Sequence, residues 1–131
     1  MRVLKWYIER MEQYIKLEGV FPADSQNLKV NYSVEEMTVY YFNWEGRPIM
    51  LKFRDVLLYR VGPFLDSAPR NDEAYTVKHS RLMESKFKEL RAIAPSRMSD
   101  EDFKLTYKHY KLCFNALDMV VDIVAGDMEI K

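Results

Sequence analysis

The chain has 131 residues, enough for one hydrophobic core, and its 48% hydrophobic and 31% charged content excludes a disordered segment. Twenty Lys and Arg balance twenty Asp and Glu, so the basic excess that phosphate neutralisation favours is missing and no nucleic-acid partner is expected. One cysteine, Cys113, rules out an intrachain disulfide or a Cys-x-x-Cys pair, and four scattered glycines leave no phosphate-cradling loop, so no cofactor and no metal is expected.

From Val3 to Leu17 apolar residues recur at gaps of one, three and four, which predicts a helix; Gly19 and Pro22 would end it. The same stretch is charged throughout. It offers no apolar run for a signal peptide or a membrane span, and with an unpaired thiol this gives the expectation of a cytoplasmic protein with no membrane partner.

Between Asn27 and Val61 the period changes to two. Leu28, Val30, Tyr32 and Val34 alternate with polar residues, and Met37 to Trp44 is dense in strand formers. Glu45-Gly46-Arg47-Pro48 reads as a hairpin turn, followed by a strand through Ile49, Leu51 and Phe53. Asp55 interrupts that alternation, which predicts a bulge or bend, with Asp55 forming an ion pair with Arg54 or Arg60.

Pro63 to Lys78 has two prolines, Asn71-Asp72 and no sustained apolar period; it reads as a long surface loop, with Tyr75 available for contacts. Ser80 can cap a helix to about Ile93 that turns Leu82, Met83, Phe87 and Leu90 inward. Residues 99–115 carry two signals. Ser99-Asp100-Glu101-Asp102 looks like a helix start, whereas Tyr110, Leu112 and Phe114 alternate as in a strand. Strands over Thr106 to Phe114 and Asp118 to Ala125, joined at residues 115–117, are the preferred reading.

The expected fold class is therefore α+β: one domain over 1–131, with an antiparallel sheet of about five to six strands, an N-terminal helix and one inserted helix. In the strand Met37 to Trp44, Tyr40, Phe42 and Trp44 must share one face while Val39 and Tyr41 share the other. Both faces are apolar enough to be covered. Tyr40, Tyr41, Phe42, Trp44 and Tyr75 are thus candidate partner-binding residues, since Tyr and Trp anchor interfaces well. The alternative is a sandwich that hides both faces within the monomer.

The rival chemistry is a sheet–helix cleft using carboxylates, with Asp55, Arg60 and His109 as its candidate residues. Glu35, Glu36, Asp118 and Asp122 are further carboxylates, read as solvated charges at strand ends and turns. His109 and Cys113 are four apart, too far along a strand to share a metal; the plainer reading is a surface His109 and a buried Cys113. No catalytic residue is assigned.

Phe53 to Val61 and Val120 to Ala125, with the leading helix, loosely resemble small bacterial α+β proteins, some of whose families confer immunity to toxins. The resemblance implies a non-enzymatic protein-binding module of the immunity type; its expected working surface is the aromatic sheet face or the loop from Pro63 to Lys78, with a protein partner or, through that face, a homodimer. This chain lacks the strong acidity common in immunity proteins that mask basic nucleases.

Overall fold

The computed structural model describes residues 11–18, 28–43, 45–63, 74–94, 99–114 and 119–131. Among these residues nine strands and two helices follow in the order β1 (Gln13–Lys16), β2 (Lys29–Ser33), β3 (Glu36–Phe42), β4 (Pro48–Arg54), β5 (Leu58–Pro63), β6 (Ala74–Lys78), α1 (Arg81–Ile93), α2 (Asp100–Thr106), β7 (Lys108–Phe114), β8 (Met119–Ala125) and β9 (Asp127–Ile130). The architecture is α+β and almost wholly antiparallel. It differs from the expectation in having two sheets: one of five strands in the order β1-β6-β7-β8-β5, the other of four in the order β2-β3-β4-β9.

The sheets pack face to face because their strands carry apolar residues on alternate positions. Met37, Val39 and Tyr41 of β3 and Leu51 and Phe53 of β4 meet Tyr110, Leu112 and Phe114 of β7 and Val121 and Ile123 of β8. Two edge-to-face ring pairs cross the interface, Tyr41 on Phe114 at 5.4 Å and Phe53 on Tyr110 at 5.2 Å. Such pairs add about 1 kcal/mol each beyond the area that they bury. The five-stranded sheet is partly apolar on its other face too, and there Met83 and Phe87 of α1 and Phe103 of α2 cover Val124 and Leu58. Three layers result, with the five-stranded sheet in the middle.

Local chemistry explains most of the boundaries. Asn43 closes the β3–β4 hairpin: its side-chain oxygen accepts from the amides of Glu45 and Arg47, and Gly46 takes the left-handed conformation (φ +78°). Asp55 bends the chain between β4 and β5 with φ +53°, tolerable for an Asp. Gly126 lies against that bend, where an added Cβ would come 3.1 Å from Asp55 Cβ. Ser80 caps α1 and Ser99 caps α2, each accepting an amide hydrogen bond at 3.1 Å from the third residue on.

Three expectations are corrected. Residues 13–16, read as helix, are strand β1, because pairing Tyr14 with Val77 and Ile15 with Thr76 extends a sheet edge; residues 3–10 lie outside the described residues. The end of the supposed loop, residues 74–78, is β6, the bridge between β1 and β7. Both signals in residues 99–115 are real but consecutive: the helix runs to Thr106, Tyr107 turns extended, and the strand starts at Lys108. Both helices are inserted between β6 and β7. No described helix is long and apolar enough to cross a membrane.

Candidate functional site

Two places gather the residues that the sequence marks out. The first is the outer face of the four-stranded sheet. The period of two sends Val39 and Tyr41 into the core and Tyr40 and Phe42 outward, both half-buried. Register then places Met50 opposite Tyr40 and Pro48 opposite Phe42. The Tyr40 and Phe42 rings meet edge to face at 5.7 Å.

The other half of this face is ionic. Lys52 reaches Glu36 at 3.7 Å, and Arg54 forks between Asp127 at 3.2 Å and Glu129 at 2.7 Å. These pairs join β3 to β4 and β4 to β9. Both described helices are committed to the other sheet, so among the described residues no helix covers this aromatic half.

The candidate partner-binding residues therefore divide. Tyr40 and Phe42 remain on a presentable face. Tyr41 is fully buried between the sheets, and Tyr75 is buried beside Tyr14, Cys113 and Val120, so neither is available as proposed. Trp44 lies outside the described residues, as does Asp118.

The second place is the face of the five-stranded sheet towards the helices. His109 was expected at the surface; it is 2% exposed. Adjacent antiparallel strands set His109 and Lys111 of β7 beside Asp122 of β8 and Arg60 of β5, since Lys111 and Arg60 both pair directly with Asp122. Asp122 Oδ1 accepts from His109 Nε2 at 2.7 Å and Lys111 Nζ at 3.0 Å, and Oδ2 accepts from Arg60 at 3.1 Å. The other ring nitrogen, Nδ1, meets Ser80 Oγ at 2.7 Å. Burial alone would raise the Asp122 carboxyl; the His109 hydrogen bond and the Lys111 charge outweigh it and hold the group at about 2.

The ionised Asp122 makes Nε2 the donor, and Ser80 Oγ, in contact with Nδ1, also accepts from Met83 N. Serine, histidine and aspartate in a chain invite comparison with a nucleophilic triad. The surroundings point the other way. The Ser80 oxygen is engaged as a helix cap, accepting from Met83 N. The nearby amide of Arg81 is also taken, by Glu12 Oε2 at 2.9 Å, so it is no free oxyanion donor. The arrangement fastens the start of α1 to the sheet.

Of the candidate cleft residues, Arg60 and His109 meet through Asp122, but Asp55 does not join them. It also forms no described ion pair with Arg54 or Arg60, whose partners are Asp127, Glu129 and Asp122. Asp122, read as a solvated charge, is the centre of the network. Period-two spacing in both strands puts His109, Lys111 and Asp122 on alternating positions, but the register that aligns them leaves no mark in sequence. No protein-family model, curated protein or solved structure matches the chain.

Proposed function

We propose that the protein is a non-enzymatic, cytoplasmic protein-binding module whose working surface is the aromatic half of the four-stranded sheet. The observation that carries this reading is the Tyr40–Phe42 pair, flanked by Pro48 and Met50 on the sheet face opposite the described helices, with Phe42 and Tyr40 in edge contact at 5.7 Å. Aromatic side chains held rigidly by a sheet bury large area at small entropic cost, as interface anchors do. The neighbouring ion pairs form a polar rim in which Lys52 and Arg54 are already engaged by carboxylates, so the partner contributes chiefly apolar surface. Such a stoichiometric binder is what the immunity-type resemblance implies.

The test is affinity purification of the full chain from its native extract beside two variants, with light scattering for mass. Tyr40→Ser/Phe42→Ser removes the aromatic pair, and Lys52→Ala alters only the ionic half. A stoichiometric companion, or a second copy of the chain, that is lost with the first variant and kept with the second supports the reading. A companion retained by the aromatic variant, or none at all with the wild type, overturns it.

A further inference from the structure

A cleft of about 830 Å³ opens where α1 and α2 meet the end of β6, remote in the layer order from the aromatic face. Its apolar lining is Val77, Met83, Phe87 and Phe103, all buried residues, with Tyr107 beside them. A space of this size suits an organic molecule rather than a bare inorganic ion.

The rim is charged and unbalanced. Lys78, Lys104 and Lys108 stand against Glu84 and Asp100, and Lys104 Nζ is already paired with Asp100 Oδ2 at 3.1 Å. Lys78 and Lys108 have no described ion pair, so two cations face one remaining carboxylate. His79 also lies on this rim and is held at φ +57°, a conformation that L-residues seldom adopt and that recurs at binding sites. The start of α1 adds little attraction of its own, because Glu12 already accepts from the Arg81 amide and Ser80 from that of Met83.

We infer that this cleft binds an amphipathic organic anion, an acyl or aryl body on the apolar lining with its carboxylate between Lys78 and Lys108. Ser80 forms part of the wall, with its oxygen engaged as the cap of α1. The inference is independent of the aromatic face.

Calorimetric titration of the full chain with dodecanoate, below its micelle concentration, tests it. Acetate supplies the head group alone, and dodecyltrimethylammonium supplies the same tail with the opposite charge. Dodecanoate is expected to bind saturably at one per chain and the two controls not to. Lys78→Ala/Lys108→Ala should weaken it at least fivefold, and Ile15→Trp, which fills the cleft from an exposed rim position, should weaken it as well. Absence of saturable binding, equal uptake of the cationic amphiphile, or affinity indifferent to both variants overturns the inference.

Discussion

Lys111 and Asp122 stand directly opposite one another on β7 and β8, both buried, with their charged atoms 3.0 Å apart. An ion pair withdrawn from water holds its place only while both members are present. Asp122→Asn keeps the shape and deletes the charge, leaving Lys111 buried without its anion. The expected cost is about 3 kcal/mol in urea unfolding. Lys111→Met should cost less, because Asp122 keeps Arg60 and His109.

Acid should expose the same carboxylate. Its folded value of about 2 lies below the ordinary 3.8, so its contribution is complete above about pH 4 and is lost as pH falls towards 2. The amount is about 2 kcal/mol. Unfolding midpoints measured between pH 5 and 2 should fall for the wild type, and Asp122→Asn should lack this component of the fall.

The Tyr41 hydroxyl is buried with no hydrogen-bond partner among the described residues, and burial pushes its ionisation upward. Tyr41→Phe keeps the ring on Phe114 and removes the stranded oxygen. It should stabilise the protein by about 1 kcal/mol, seen as a higher urea midpoint with an unchanged slope.

Ser80→Ala takes away two things together, the cap on Met83 N and the partner of His109 Nδ1. A loss of about 2 kcal/mol is expected. Amide exchange should accelerate most in the first turn of α1. Ser80→Thr, which retains the hydroxyl, should recover most of the loss.

Where local periodicity settles an element, the sequence was legible. Strand β3 is the best case: alternation alone separated Tyr40 from Tyr41 and assigned them opposite faces, and the Ser80 cap located the start of α1. Elements defined by partners were not. Tyr14 and Ile15 fit a helical spacing as well as a strand, and only β6 decides between them. β6 and β9 are five and four residues long, too short to declare a period, and each is held by its neighbour. The polar network failed for a related reason. His109 and Asp122 are 13 residues apart, and their meeting depends on the register of β7 against β8.

The position of β8 has a consequence for how the chain reaches this state. It lies between β7 and β5, and β5 has no other strand partner among the described residues. β5 leaves the growing chain about sixty residues before the strand that will hold it, and β4 waits longer still for β9. Until residues 119–130 arrive, neither sheet has its full set of strands. Closing such long loops is entropically expensive before any contact rewards it, so folding should be slow, on the order of milliseconds to seconds. Nascent chains stopped before Met119 should then remain open to protease and to chaperones, with their core-forming strands still unsheltered.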